Sequence, residues 1–310
     1  ESIAYCLEHL GLPLGEMATI TANMPGVDMA PKILRGKFSK DVADHVKAIP
    51  SHHLAHAYSA FWPSGFDEAL VLVVDASGTT SLGPNGRRTE SYTLYEGRGT
   101  ELKELHSETV SSHLAALSTL GFVYEAVSRR AGFVTNLNSG LSFPEAGKLM
   151  GLAAYGGPQS NWERWFTKPE DSHAIQMSAY DIFLEMAALE KRYDDGQGKP
   201  YFRPWLVDLA YKVQTELEDV LIQLVGDACE RTGLRRVCIA GGVGLNSVAN
   251  YKILRDCELD GVFIFPAAGD NGIAVGCALW GYHTEEGGTE RPPLGTACFG
   301  RSYSGQEVDD

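Results

Sequence analysis

The sequence lacks any run of about 18 or more apolar residues, the shortest stretch that is typical of a membrane-spanning helix. Its longest apolar run, residues 69–74, has only the length of a β-strand. The first residues also lack the charged, apolar and small-residue regions of a secretory signal peptide. These absences exclude a membrane-spanning helix and leave no segment that resembles a signal peptide.

Closely spaced cysteines are also missing. The sequence has six cysteines, but no two of them form a C-x-x-C pair. This spacing excludes a disulfide framework and a zinc ribbon. We therefore expect free thiols and a cytoplasmic location.

Positive charge is scarce, because 26 Lys and Arg residues face 40 Asp and Glu residues and the formal net charge is −14. This balance argues against nucleic acid or anionic lipid as partners held by bulk charge. A local basic patch is still compatible with it. We expect substrates that are neutral or cationic, or anions held at a few specific points.

The composition that remains is typical of a globular protein: 310 residues, 44% hydrophobic and 21% charged. This length corresponds to about two domains. The chain begins with Glu1 rather than methionine, inside an apolar pattern of helical spacing. We therefore expect a piece of a longer protein.

Three strands are predicted early in the chain. Residues 69–75 are a continuous apolar run that ends in Asp75, as in a strand buried on both faces. Residues 90–96 and 100–105 alternate in polarity around a Gly-Arg-Gly turn and predict a β-hairpin. We expect three successive antiparallel strands here, followed by a helix over residues 112–130.

The second half alternates between helices and strands. The predicted segments are a helix over 206–229 closed by Gly233, a strand over 236–240, a helix over 246–255, a strand over 261–265 and a helix over 272–280. Three strands followed by strand–helix units predict an α/β fold with a mixed sheet. This is the order of one half of an actin/hexokinase-type (ASKHA) fold, and other α/β folds fit it too.

A metal site is the first chemical prediction. His52 and His56 are four residues apart, so on a helix both imidazoles lie on one face, whereas His53 is rotated by about 100°. The glutamate of zinc metalloproteases does not follow the first histidine, which disfavours that class. Asp270 supplies the third ligand for iron(II), manganese or zinc. The alternatives are buried or capping histidines, and an Asp270 that only caps the helix after it.

Three glycine-rich segments are candidates for binding a nucleotide or phosphate. Asp75 precedes Ala-Ser-Gly-Thr-Thr, a turn in which the carboxylate can hold a cation or act as a general base. Gly241, Gly242 and Asn246 lie at a strand–helix junction, and residues 147–148 combine a glycine with a lysine. The spacing matches neither a Rossmann nor a Walker A motif. An ordinary turn, tight packing and a surface lysine are the respective alternatives.

Four ordered strings carry a family resemblance: HHLAHAYSAFWPSGFDEALVLVVDASG, GKLMGLAAYG, AGGVGLNSVAN and FPAAGDNGIAVGCAL. Together they resemble the O-carbamoyltransferase family, which includes nodulation protein U and the cephamycin and tobramycin carbamoyltransferases. The resemblance extends from Glu1 to about Tyr303. It implies a duplicated ββαβαβα ASKHA catalytic domain fused to a YrdC-like domain.

The resemblance also implies a reaction. The YrdC-like part makes carbamoyl adenylate from carbamoyl phosphate and ATP, and the ASKHA part passes the carbamoyl group to a hydroxyl of a small-molecule acceptor. By motif, the metal ligands would be His52, His56 and Asp270, with iron in the family's best case, and the catalytic residues Asp75 and His52. The adenosine pocket would be lined by Gly147, Lys148, Gly241, Gly242 and Asn246. The setting is secondary metabolism such as antibiotic biosynthesis.

The chain departs from the family pattern at both ends. The opening family strand with its Gly-x-x-x-His-Asp stretch is not present, and neither is the YrdC-like half. We expect residues 1–68 to be the remainder of the first ASKHA half with the metal-binding helix. Residues 69–285 would form the second half with the nucleotide pocket, and residues 286–310 a linker. A homodimer is one arrangement left open.

Three other functions compete with this one. A tRNA threonylcarbamoyl-transferase would share the fold, but the acidic net charge argues against it. A non-catalytic module that binds metal and nucleotide would be consistent with the absence of the opening family strand. A sugar kinase of the same superfold would not need the histidine pair.

Overall fold

The structure is a computed structural model of the chain. It describes residues 2–23, 36, 43–83, 86–111, 117–138, 140–170, 172–298, 300 and 302–309. The helices are α1 (Ser2–Leu10), α2 (His52–Phe61), α3 (Leu120–Arg130), α4 (Ala146–Ala153), α5 (Ala179–Tyr193), α6 (Pro204–Thr232), α7 (Ser247–Asp256), α8 (Ile273–Thr284) and α9 (Gly305–Asp309). The strands are β1 (Ile20–Ala22), β2 (Val46–Ala48), β3 (Glu68–Val74), β4 (Thr80–Gly83), β5 (Gly86–Arg98), β6 (Glu101–Ser111), β7 (Val134–Asn136), β8 (Ser142–Pro144), β9 (Arg236–Ala240) and β10 (Gly261–Ile264).

A six-stranded mixed sheet forms the centre of the molecule, in the order β10-β9-β3-β5-β4 with β6 also paired to β5. β3 runs antiparallel to β5 and parallel to β9, which in turn runs parallel to β10. An antiparallel meander followed by parallel strand–helix units is the order that the sequence predicted. The carboxyl ends of β3 and β9 therefore lie side by side, so the segments that follow them meet at one edge.

The expectation of only three strands over residues 69–105 was wrong. Between β3 and the hairpin, β4 pairs with an N-terminal extension of β5 that begins at Gly86 instead of residue 90. This extension starts with Gly86-Arg-Arg-Thr, which lacks alternating apolar residues and so gives no strand signal. The predicted hairpin turn is present between Arg98 and Glu101.

Helical layers cover both faces of the sheet, because alternate residues of β3 point in opposite directions. Leu70, Leu72 and Val74 belong to a core built with α3, α6 and α7. Val71 and Val73 belong to a second core built with α2 and α8. All five side chains are buried, as the continuous apolar run predicted.

The long helix α6 extends two residues before and three residues after the predicted span 206–229. Pro204 occupies its first turn, and Gly233 ends it in the left-handed region at φ 73°. Helix α3 begins at Leu120, with Thr119 as its N-cap. The start of the predicted 112–130 helix, residues 112–116, lies outside the described residues.

Helix α8 packs unusually close to α2. A Cβ at Gly276 would lie 1.8 Å from the carbonyl oxygen of Ala55, so the two backbones approach each other as only a glycine permits. No side chain caps α8; its first turn follows a 3₁₀ turn at Asp270–Gly272. The prediction that Asp270 caps this helix was therefore wrong, since its carboxylate faces the histidines of α2 instead.

Two segments outside the central sheet, β1–β2 and the chain after α8, contact this core. β1 and β2 form a parallel pair, and Thr21 donates a hydrogen bond from Oγ1 to the carbonyl of Cys277 on α8 at 2.6 Å. Residues 286–298 contain no helix or strand, but Arg291 donates to the carbonyls of Phe61 and Phe66 at 2.8 and 2.9 Å. The boundaries at 68 and 285 stay predictions. Among the described residues no helix combines the length and the apolarity that crossing a bilayer requires.

Candidate functional site

Two histidines of α2 point to the same place. Ser51 caps the helix by accepting a hydrogen bond from Leu54 N at 3.1 Å, so the first turn is fixed. His52 and His56, one turn apart, are both buried, and their ring centroids are 4.8 Å apart. The helix thereby presents two Nε2 atoms to the carboxyl edge of the sheet.

Two carboxylates meet these nitrogens. Asp75 follows the last residue of β3, and its Oδ2 lies 3.1 Å from His56 Nε2 and 3.6 Å from His52 Nε2. Asp270 precedes α8, and its Oδ1 lies 3.3 Å from His52 Nε2 and 3.5 Å from His56 Nε2. One ligand atom from each of the four residues lies within 4.8 Å of all the others. We call these four residues the His/Asp cluster.

The orientation of Asp75 is fixed from both sides. Its Oδ1 accepts a hydrogen bond from Ala76 N at 2.7 Å, which leaves Oδ2 for the histidines. The side chain is only 12% exposed, whereas that of Asp270 is 64% exposed. The cluster is thus closed on the sheet side and open on the side of Asp270.

The charges of the cluster shift its pKa values strongly. Burial disfavours the imidazolium of His52, but hydrogen bonds to Asp270 and Asp75 outweigh burial and raise its pKa to about 9. Burial likewise opposes ionisation of Asp75, but hydrogen bonds from His52 and His56 hold its pKa well below its usual range. Hydrogen bonds from the same histidines lower the pKa of Asp270 to about 2. Both carboxylates are ionised at neutral pH and favour a cation beside them.

The residues present fit a divalent metal. His52 Nδ1 lies 2.7 Å from Asn23 Oδ1, an acceptor, so Nδ1 carries a proton and Nε2 is the nitrogen that would bind a metal in place of its own proton. This buried Nε2 faces the two carboxylates at 3.3 and 3.6 Å. Two imidazoles and two carboxylates form a donor set that suits iron, manganese or zinc. A hydrogen-bonded outer residue such as Asn23 is typical of a metal-ligating histidine.

His53 turns away from the cluster, as its position on the helix predicted. Its Nδ1 lies 2.8 Å from Thr93 Oγ1 on β5, and the side chain is fully buried. Burial lowers its pKa to about 3, although the nearby carboxylate of Asp75 opposes this shift. His53 is therefore a neutral core residue and not a fifth ligand.

A cleft of about 360 Å³ opens beside the cluster at the same edge of the sheet. Asp75 belongs to the His/Asp cluster and also lines the cleft. The other lining residues are Ala76, Gly121, Tyr124, Glu125, Pro144, Ala146, Gly147, Met150, Leu217, Gly242, Val243, Leu245 and Asn246. A ligand that fills the cleft therefore extends to the cluster.

The structure brings three of the five predicted pocket residues to this cleft and leaves two outside its lining. Gly147, Gly242 and Asn246 line it. Lys148 instead pairs with Glu145 at 2.7 Å, and its side chain is 59% exposed. The turn after β9 requires glycine at position 241, because its φ is +87° and a Cβ there would lie 2.1 Å from the carbonyl oxygen of Val74.

The sequence did not reveal a network of polar side chains below the cleft. Gln214 on α6 accepts from Tyr124 Oη at 2.7 Å and from Asn246 Nδ2 at 2.9 Å, and its Nε2 donates to Glu218 at 2.7 Å. Glu218 in turn pairs with Lys252. The members come from α3, α6 and α7, so no local pattern could have joined them. This network fixes Asn246 at the wall of the cleft.

Glu125 was also missed. It lines the cleft from α3, is half-buried, and has a pKa raised by burial, with Arg129 opposing the rise and Asp75 adding to it. Glu125 is therefore a carboxyl group that a ligand in the cleft can reach. In the sequence it is one glutamate in an ordinary amphipathic helix, which gives no functional signal.

Comparison with known proteins identifies relatives across most of the chain. The family model described as "Carbamoyltransferase N-terminus" matches residues 18–279. The nodulation protein NolNO of Sinorhizobium fredii is 29% identical over 310 residues, which cover 90% of this chain and 41% of that protein. The tRNA N6-adenosine threonylcarbamoyltransferase of Corynebacterium aurimucosum is 27% identical, over 66% of this chain and 57% of that protein. The chain thus spans about two fifths of NolNO.

Solved structures of HypF share the fold. The crystal structure of the T. kodakarensis protein gives a TM-score of 0.55 at 17% identity and covers 94% of this chain and 44% of that one. A full-length HypF in the phosphate- and nucleotide-bound form gives 0.53 at 12% identity, over 90% of this chain and 48% of that one. These similarities show that the chain shares its fold with HypF. The strand order of the central sheet agrees with this fold.

Proposed function

We propose a carbamoyl-transfer reaction for this chain, which belongs to the carbamoyltransferase family and has an ASKHA-type fold. In this proposal the cleft holds carbamoyl adenylate, and the carbamoyl group passes to a hydroxyl of a small-molecule acceptor. The observation that carries it is the double membership of Asp75, which lies in the His/Asp cluster and lines the cleft. A nucleotide in the cleft would present its activated end to the cluster.

The bond changes of this reaction are simple. The acceptor oxygen bonds to the carbamoyl carbon, the bond from that carbon to the phosphate oxygen of AMP breaks, and the hydroxyl proton passes to a carboxylate or to water. AMP is already a good leaving group in such a mixed anhydride. The site therefore has to align two reactants and stabilise negative charge on the carbonyl oxygen.

The His/Asp cluster would hold the metal, with His52, His56 and Asp270 as ligands and Asp75 as a fourth. Iron, manganese and zinc all suit this donor set. A divalent cation supplies Lewis acidity toward a carbonyl oxygen. Because its pKa is held so low, Asp75 is a weak general base. We assign it the roles of metal ligand and orienting group instead, and His52 the role of ligand.

The nucleotide would lie along Gly147, Gly242 and Asn246. Glycine at 147 and 242 lets a ligand approach the backbone, and a Cβ at Gly242 would already lie 3.1 Å from Asp75 Oδ1. Glu125 is placed to accept hydrogen bonds from ribose hydroxyls. A HypF protein of the same fold has been solved in a phosphate- and nucleotide-bound form, which supports a nucleotide as the class of ligand.

The synthesis of carbamoyl adenylate from carbamoyl phosphate and ATP is the remaining part of the proposal. It would belong to a YrdC-like domain, as the family resemblance implies. The acceptor would be a sugar or natural-product hydroxyl, in line with the resemblance to nodulation proteins.

Two matched variants test the site. We expect about one iron, manganese or zinc per anaerobically purified chain, and AMP binding that calorimetry detects. His56→Ala should lose the metal and keep AMP. Gly147→Leu should keep the metal and lose AMP binding. A side chain at this position meets no protein atom within 4 Å and would occupy space at the wall of the cleft. A wild-type chain with neither metal nor AMP binding would contradict the proposal.

Threonylcarbamoyl transfer to tRNA is the second candidate, favoured by the match to the C. aurimucosum enzyme. The net charge of −14 opposes it. Turnover of supplied carbamoyl adenylate with hydroxyl acceptors, and none of threonylcarbamoyl adenylate with tRNA, is the expected result. The opposite preference would establish the second candidate.

A further inference from the structure

We propose that Glu90 is a positioning residue that ties the loop after Asp75 to the N-terminus of α2 and so holds Asp75 against the two histidines. Glu90 lies on β5 and belongs neither to the His/Asp cluster nor to the lining of the cleft. The inference rests on the metal centre of the proposed function. Four sets of observations support it.

The carboxylate of Glu90 first contacts the start of α2. Its Oε1 accepts a hydrogen bond from Ser51 Oγ at 2.6 Å, and its Oε2 accepts one from His53 N at 3.4 Å. Since the Ser51 proton points to Glu90, the Ser51 oxygen is free to accept from Leu54 N and cap the helix. Glu90 thus orients the cap of the helix that carries His52 and His56.

The same carboxylate contacts the loop that begins with Asp75. Oε2 accepts from Thr79 N at 2.8 Å. Backbone pairing reinforces this contact: Gly78 N donates to Glu90 O at 2.9 Å, and Glu90 N donates to Thr79 O at 3.1 Å. Thr79 Oγ1 then accepts from His52 N at 2.8 Å, which closes a ring of bonds between loop, strand and helix.

The charge of Glu90 suits this position. Within the described part of the chain, Glu90 forms no ion pair. Its carboxylate oxygens are instead stabilised by hydrogen bonds from N–H and O–H donors. A negative charge beside a helix N-terminus is also stabilised by the exposed N–H groups of the first turn. A neutral residue of the same shape would keep the contacts and lose this contribution.

The residue at position 78 is adapted to the contact. A Cβ on Gly78 would lie 2.6 Å from Glu90 Oε2 and 2.7 Å from His53 Nε2. The loop can therefore lie flat on Glu90 and His53 only with glycine at this position. Because Gly78 is three residues after Asp75, this contact fixes the path of the chain that leads away from the cluster.

Such a tie matters because the cluster depends on where Asp75 is placed. Asp75 Oδ2 lies 3.1 Å from His56 Nε2, and one ligand atom from each of the four residues lies within 4.8 Å of all the others. A loose loop would let Asp75 move out of this set. Outer contacts that fix the orientation of ligands typically change metal affinity 10- to 100-fold when removed.

The test compares three variants of the whole chain with Co²⁺ as the probe. Glu90→Ala removes every side-chain contact. Glu90→Gln keeps an oxygen for Thr79 N and an amide that can donate to Ser51 Oγ. Glu101→Ala, an exposed glutamate at the start of β6, is the matched control. Co²⁺ affinity is measured by d–d absorption, and amide hydrogen exchange of residues 51–56 and 75–80 is measured without metal.

We expect Glu90→Ala to weaken Co²⁺ binding about tenfold or more and to speed exchange in both segments. Glu90→Gln should recover most of the affinity, and Glu101→Ala should match the wild type. Wild-type affinity and unchanged exchange in Glu90→Ala would overturn the inference. If the wild type takes up no Co²⁺, the metal centre of the proposed function fails. The exchange data then decide alone: acceleration in both segments supports the tie, and no acceleration overturns it.

Discussion

At the scale of single residues, Asp75 connects the most features of the molecule. It directly follows the central strand, lies beside both histidines and lines the cleft, and its second oxygen accepts a hydrogen bond from the following backbone N–H. The continuous apolar run before it made the strand predictable. Its closeness to Asp270, 195 positions later in the chain, depends on the parallel order β3-β9-β10, which brings the segment after β10 to the same edge of the sheet.

Asp75→Asn should weaken Co²⁺ binding about tenfold or more, because an amide oxygen is a poorer ligand than a carboxylate and one negative charge is lost. Titration followed by d–d absorption measures this. Asp67→Asn, at an exposed aspartate just before β3, is the control and should change nothing. Equal affinities in the two variants would contradict a ligand role for Asp75.

The raised pKa of His52 predicts how the metal-free protein responds to pH. Its folded-state value of about 9 lies above the usual 6.5. Protonated His52 therefore contributes stability that is fully present below about pH 6.5 and is lost as the pH rises through about 9. In a chelator, Tm should fall across this window, and His52→Gln should flatten the fall. Metal affinity should rise over the same window, since the metal displaces the proton.

At the scale of elements, the strongest local patterns gave the correct elements. The apolar run of β3, the amphipathic span of α6 with its closing Gly233 and the four-residue histidine spacing on α2 each depend on neighbours in sequence. β4 was missed because its partner segment after Gly86 lacks alternating apolar residues. Asn23 and Glu90 were missed because their side-chain partners are 11 to 39 residues away and no period marks them. The cap predicted at Asp270 failed for the same reason, since the histidines compete for its carboxylate.

The close contact of α8 with α2 makes Gly276 a sensitive position. In Gly276→Ala the new methyl would meet the carbonyl of Ala55, and α8 must move away and carry Asp270 with it. We expect a loss of about 1–3 kcal/mol in the free energy of unfolding together with weaker Co²⁺ binding. Urea denaturation and a Co²⁺ titration measure the two effects.

Gly226→Ala on α6 is the matched control for this substitution. A Cβ there meets nothing closer than 4.0 Å, and alanine favours helices, so the free energy of unfolding should rise by up to about 1 kcal/mol. A similar loss in both variants would mean that the helix contact at Gly276 has no special role.

At the scale of the whole molecule, the segment after α8 belongs to the folded body. Arg291 lies over the Phe61 ring at 3.9 Å and donates to the carbonyls of Phe61, Phe66 and Gly99. Leu294 N adds a bond to Pro63 O at 2.8 Å. The expected linker 286–310 is therefore held to the end of α2 over its first part.

Arg291→Ala should release this segment. A glutamate-specific protease should then cut after Glu285, Glu286 or Glu290 several times faster than in the wild type, because cleavage needs a locally opened chain. Arg255→Ala, at an arginine whose ion pair is exposed, is the control and should leave the rate unchanged. Mass spectrometry of the fragments identifies the sites, and equal rates in all three proteins would contradict the restraint.

The position of Asp75 between cluster and cleft has a thermodynamic consequence. In the proposed function one carboxylate contributes to both the metal-binding and the nucleotide-binding equilibrium, so occupation of one site changes the free energy of occupying the other. Linkage requires this effect to be reciprocal: the factor by which a metal changes the affinity for nucleotide equals the factor by which nucleotide changes the affinity for metal. Two separate titrations must therefore yield one coupling free energy, and its sign says whether the donor nucleotide recruits the cation or competes with it.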